Sequence, residues 1–193
     1  SGALHDRFWF MRESGDELIQ FQQDRLLHNW RKVGDQTNEY PRFETMLECF
    51  RAELRALENY AATIFPQSLA INQCEITYFN HIVDARGAPP RPADWLRFAT
   101  FEGQEPEDFS AAFREIIRDS SGRPVGRFTC EFSSAVNQSA RPILVLNLTV
   151  RGSPSNTSIE AALEFIQRAR SIIVKKFADL TTTAAHQAWE RRQ

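Results

Sequence analysis

Ala111-Ala112-Phe113-Arg114-Glu115-Ile116-Ile117-Arg118 can be read as strand or as helix, and the choice decides the fold. Phe113, Glu115 and Ile117 alternate with Arg114, Ile116 and Arg118, which suits a strand. The six residues that follow settle the choice. Asp119-Ser120-Ser121-Gly122-Arg123-Pro124 has the composition of a tight turn, so the spacing predicts a hairpin into a second strand over 125–134. A third strand is predicted over 143–151. Leu144, Leu146 and Leu148 lie on one side of it, and Ile143, Val145, Asn147 and Thr149 on the other. Apolar residues on both faces predict a central place in the sheet.

Beyond it, Thr157-Ser158-Ile159-Glu160 fits a capping box with Thr157 as cap. Ile159, Leu163, Ile166, Ile173 and Phe177 then trace the buried side of a long helix, and a short one is predicted over 183–191, burying Ala184, Ala188 and Trp189. Upstream, residues 70–83 read as a long strand with Asn72 and Asn80 on the face of Cys74, Ile76, Tyr78 and Ile82. Those amides suit either a ligand or hydrogen-bonded anchoring of the strand ends, and anchoring is the commoner role. A proline-rich loop (Gly87-Ala88-Pro89-Pro90-Arg91-Pro92) follows, and the chain from there to about 109 has no clear pattern.

The first half has the same grammar. Strands are predicted over 7–12, 17–22 and 25–32, the first two joined at Glu13-Ser14-Gly15-Asp16. A polar loop (Gly34-Asp35-Gln36-Thr37-Asn38) precedes Pro41, which suits a first helical turn. Phe43, Met46, Leu47, Phe50, Leu54 and Leu57 then recur at helical spacing. Met11-Arg12-Glu13-Ser14-Gly15 echoes Ile117-Arg118-Asp119-Ser120-Ser121-Gly122, and Asn29 to Gly34 echoes Asn147 to Gly152. The expectation is an α+β fold: antiparallel sheet against two long helices, in one domain spanning 1–193. Within it, a strand-strand-strand-helix unit would be duplicated over 7–64 and 70–180. Only the second unit has a leading strand, so the first would present an open sheet edge.

Several motifs carry a family resemblance. Arg7-Phe8-Trp9-Phe10, Glu17-Leu18-Ile19-Gln20, Asn29-Trp30-Arg31-Lys32, Tyr40-Pro41-Arg42-Phe43-Glu44 and the run Asn72 to Ile82 make up most of it. The ending Phe177-Ala178-Asp179-Leu180-Thr181-Thr182, with His186 and Trp189, adds to them. Together these resemble a sporadically distributed bacterial family of uncharacterised proteins. The resemblance implies a further N-terminal strand and helix before residue 1, with Ser1-Gly2-Ala3 a remnant or trimmed start. It implies no activity, cofactor or catalytic residue.

Composition narrows function. With 42% hydrophobic and 25% charged residues the chain is an ordinary globular one, and its fifteen Phe make aromatic packing a large part of the core. A net charge of −2 with scattered arginines does not favour nucleic acid. Cys49, Cys74 and Cys130 are odd in number and widely spaced, so buried free thiols are expected rather than disulfides or zinc. No run of eighteen apolar residues occurs, and a cytoplasmic protein without membrane association is expected. The glycosylation patterns at Asn137, Asn147 and Asn156 lack a secretory context.

Among His5, His28, His81 and His186 no pair has metal-ligand spacing, and neither metal nor cofactor is expected. No nucleophile elbow or phosphate-binding glycine loop occurs. Glu75 and His81 are about 20 Å apart along an extended strand and cannot act as a pair. Glu105, Glu107 and Asp108 read as solvated surface. The first expectation is therefore a non-enzymatic binding or interaction module, for a partner protein or a small molecule. A homodimer or partner would use the open edge, and Gln20, Asn29, Tyr78, Asn80 and His81 would contact the ligand. The alternative is a small hydrolase-like enzyme with a pocket between sheet and helix and His81 or His28 as acid–base.

Overall fold

The computed structural model describes residues 6–33, 38–84, 88–103 and 106–188. The fold is α+β, and its antiparallel strands form two separate sheets, of three and four strands, rather than one. The chain divides into two compact units, Ser1–Leu69 and Ala70–Gln193.

In the first unit β1 (Phe8–Met11), β2 (Glu17–Gln22) and β3 (Arg25–Trp30) form a meander, followed by α1 (Phe43–Ile64). The β1–β2 turn closes with Gly15 at φ 73°, where a side chain would be strained, and Gly15 N–H donates to the Arg12 carbonyl at 2.8 Å. The register places Phe8, Phe10, Ile19, Phe21, Leu26, His28 and Trp30 on one face. Helix α1 buries Phe43, Leu47 and Leu54. Its N-cap is Arg42, so Pro41 precedes the helix instead of opening its first turn. The helix continues past Leu57 to Ile64 and stops because Phe65, ahead of Pro66, is held extended. Cys49 is exposed rather than buried, since it lies on the side of α1 opposite Phe43, Leu47 and Leu54. The predicted loop at Gly34 to Thr37 lies outside the described residues.

In the second unit β4 (Cys74–Ile82), β5 (Ser110–Arg118), β6 (Pro124–Val136) and β7 (Pro142–Gly152) form a sheet in the order β4-β7-β6-β5. The disputed segment is strand β5, and β7 is internal. Leu146, Leu148 and Val150 of β7 are fully buried under α3 (Ile159–Leu180), packed with Phe128, Cys130 and Phe132 of β6. Two hairpins share one turn chemistry. Asp119 Oδ1 accepts from the amides of Ser121 and Arg123, and Asn137 Oδ1 accepts from those of Ser139 and Arg141, all at 2.9–3.0 Å. The fourth residue of each turn has positive φ: Gly122 at 82° and Ala140 at 57°.

Three local expectations shift. Strand β4 starts at Cys74 rather than 70, because β7 ends at its partner Gly152; Ile71 N–H bonds the Thr157 carbonyl instead. Asn72 is thus exposed and outside the strand. The cap of α3 is Ser158, one residue later than the expected Thr157, and its hydroxyl accepts from Ala161 N–H at 3.2 Å. The unpatterned segment contains a short helix, α2 (Pro92–Trp95), which packs against α4 (Thr183–Ala188). Ala184 and Ala188 of α4 are exposed, and the buried residue is Ala185, whereas Trp189 lies outside the described residues.

Candidate functional site

Strand β1 is the outermost of its sheet, and among the described residues it pairs with β2 alone. The pleat sends Phe8 and Phe10 to one face and Trp9 and Met11 to the other. Phe8 stacks on Phe21 with ring centroids 6.5 Å apart. Even so, all four side chains remain 52–60% exposed. Edge strands are ordinarily blunted by charge or proline. Neither occurs within Phe8-Trp9-Phe10-Met11; Arg7 and Arg12 flank it, and Arg12 is ion-paired with Glu17 at 2.8 Å.

The residues expected to bind a ligand do not form one site. Gln20 and Asn29 are diagonal neighbours on the face of the first sheet that also carries Leu18 and Leu27. Tyr78 and Asn80 are on the inner, α3-covered face of the second sheet, where Tyr78 packs against the core. Asn80 Nδ2 donates to the Leu146 carbonyl at 3.1 Å, which ties β4 to β7. His81 is exposed on the opposite face, edge-on to the Phe79 ring.

His28 is placed differently. Its Nδ1 donates to the Glu53 carboxylate of α1, 2.8 and 3.0 Å from the two oxygens, and its side chain is only 6% exposed. A carboxylate at Nδ1 makes that nitrogen the donor and orients the ring. The ring's Nε2 is sealed from solvent and, like the neighbouring Trp30 Nε1, has no hydrogen-bond partner among the described residues. Glu53 was not foreseeable as its partner, because nothing in sequence relates a strand residue to one 25 positions away. Burial pushes the Cys74 and Cys130 thiols up to about 11 and about 12, so both are protonated and unreactive at neutral pH.

The second sheet has one open face, away from α3. Across it run Glu75, Arg151, Arg127 and Ile116 in register, and beside them Thr77, Thr149, Thr129 and Arg114. The Thr77 and Thr149 hydroxyls are hydrogen bonded at 2.9 Å, and Glu75 is ion-paired with Arg151. A shallow cavity of about 290 Å³ lies at this end, lined by Gln73, Ile116, Arg127, Arg151 and Ser153 among others. Sequence reading overlooked the arginines, because only the β6–β7 register makes residues 24 positions apart direct neighbours.

No family model, curated protein or solved structure matches the chain. Among the described residues no helix is long and apolar enough to cross a membrane, and no group of three or more His, Cys, Asp or Glu is placed to hold a metal ion.

Proposed function

We propose that the protein is a non-enzymatic interaction module that pairs with a second copy of itself through the outer edge of β1. The observation that carries this reading is the row of four large apolar side chains on a free strand edge. Antiparallel pairing about a two-fold axis keeps each side chain on its own face. It sets Phe10 opposite Phe10 of the second copy, and Trp9 opposite its Met11. No like charges meet within the paired strands. Side chains of this size bury about 150–250 Å² each. Covering the exposed half of four per copy removes on the order of 800 Å² in total, below the roughly 1,200 Å² of a standard stable interface. An interface of this size belongs with weak, transient associations.

Sedimentation velocity of the full chain from about 1 to 200 μM tests this. A concentration-dependent dimer that Phe10→Lys abolishes supports it. A monomer throughout, or a dimer indifferent to Phe10→Lys, refutes it.

The His28–Glu53 pair favours a second reading, a small hydrolase-like enzyme with His28 as acid–base. That chemistry requires substrate to reach Nε2. Carbethoxylation of His28 in the native chain as fast as that of exposed His81 would support it, and protection of His28 would argue against it.

A further inference from the structure

Arg127 and Arg151 are direct cross-strand partners on the open face of the second sheet. Like charges placed directly opposite each other destabilise a sheet. Glu75 answers only one of them, through its ion pair with Arg151. Arg127 has no ion-pair or hydrogen-bond partner among the described residues. Arg114 is diagonal to it on β5, one row along on the same face. Glu131, one row beyond Arg114 on the same face, is a second carboxylate, so with Glu75 on Arg151 the corner keeps one uncompensated guanidinium, that of Arg127. The cavity lining beside them adds Gln73 and Ser153, which carry an amide and a hydroxyl.

We infer that this trench binds a phosphate group, as free inorganic phosphate or as the terminus of a small phosphomonoester. Donor number decides the class. A carboxylate has two oxygens for two guanidiniums, an amide and a hydroxyl, whereas a phosphate group has three or four. Forked guanidiniums engage phosphate oxygens in pairs, and the remaining oxygens are left for the amide and hydroxyl donors. The face is open, so the ligand is bound by electrostatics and hydrogen bonds rather than by enclosure, and affinity falls steeply with salt.

Inorganic phosphate titrated at low ionic strength into the isotopically labelled full chain tests the inference. Saturable amide shifts are expected at Gly126, Arg127, Gly152 and Ser153, with Arg127→Gln weakening binding about tenfold or more. Arg127 is exposed, so the variant keeps its fold, and an unchanged spectrum elsewhere checks this. Absence of saturation, identical binding by Arg127→Gln, or equal binding of acetate at matched ionic strength would overturn the proposal. A parallel titration with glycerol phosphate separates the sources: tighter binding than inorganic phosphate assigns an organic phosphomonoester, equal or weaker binding the free ion.

Discussion

Replacing Gly152 with alanine puts a methyl group where the sheet and α3 leave no room for one. A Cβ there would lie 2.7 Å from Gly126 Cα and 2.8 Å from Phe165 Cζ, and closer still to the Val125 carbonyl oxygen. Two of these three atoms are backbone of the neighbouring strand, which cannot turn aside as a side-chain end can. Inserting a methyl into packing this tight costs about 1–3 kcal/mol, and clashes with backbone favour the upper end. The restricted unfolded chain returns only about 0.4–1 kcal/mol. A net loss of about 2 kcal/mol is expected, equivalent to roughly thirtyfold in an opening equilibrium. Native-state hydrogen exchange of the β7 amides in the full chain reads this directly. Gly126→Ala should cost less, because only the Arg151 carbonyl oxygen, at 2.8 Å, comes within 3 Å. Exchange in Gly152→Ala that is unchanged within threefold, or slower, would show that the two glycines do not set the β6–β7 approach.

Three further outcomes are expected. Ser158→Ala should cost about 1 kcal/mol of stability in urea titration while Thr157→Ala stays within about 0.5, because only Ser158 caps α3. Ala140→Gly should stabilise by up to about 1 kcal/mol by relieving a positive φ, and an unchanged unfolding midpoint would contradict it. The Ser121 hydroxyl, with the Arg123 and Ser121 backbone amides, holds the Asp119 carboxyl well below its ordinary range. A depressed folded pKa contributes stability above the unfolded value near 4, and this is lost as pH falls through and below it. Asp119→Asn keeps the turn, as Asn137 does in the next hairpin, so its stability should decline less between about pH 5 and 2.

Most strands were legible because a period of two with turn residues between is a local signal. β2 was bounded by its hairpin residues, and β5 by the Asp119 turn. Features that failed to show depend on partners distant in sequence. The alternation of residues 70–73 looks like strand, but strand needs a neighbour, and β7 stops at Gly152. Thr157 and Ser158 are chemically equivalent caps, and only the helix start distinguishes them. Cys49 has apolar sequence neighbours yet faces outward, since adjacent positions on a helix point 100° apart. For the candidate sites, the run Phe8 to Met11 was legible as a strand, but its place at the sheet edge depends on pairing. The Arg127–Arg151 and His28–Glu53 contacts depend on register and packing, which single-sequence patterns do not encode.

The position of β4 has a kinetic consequence. Hairpins β5–β6 and β6–β7 each close over about five residues, but β4 reaches its partner only after about sixty, from Ile82 to Leu144. Closing the longer loop costs about 2 kcal/mol more in chain entropy. The three-strand meander therefore assembles first, and β4 joins late as the step that commits the chain to its topology. Until then the edge of β7 stands bare beside fully apolar Leu146 and Leu148. In that interval the chain is most exposed to pairing with the wrong strand, including another molecule's β4.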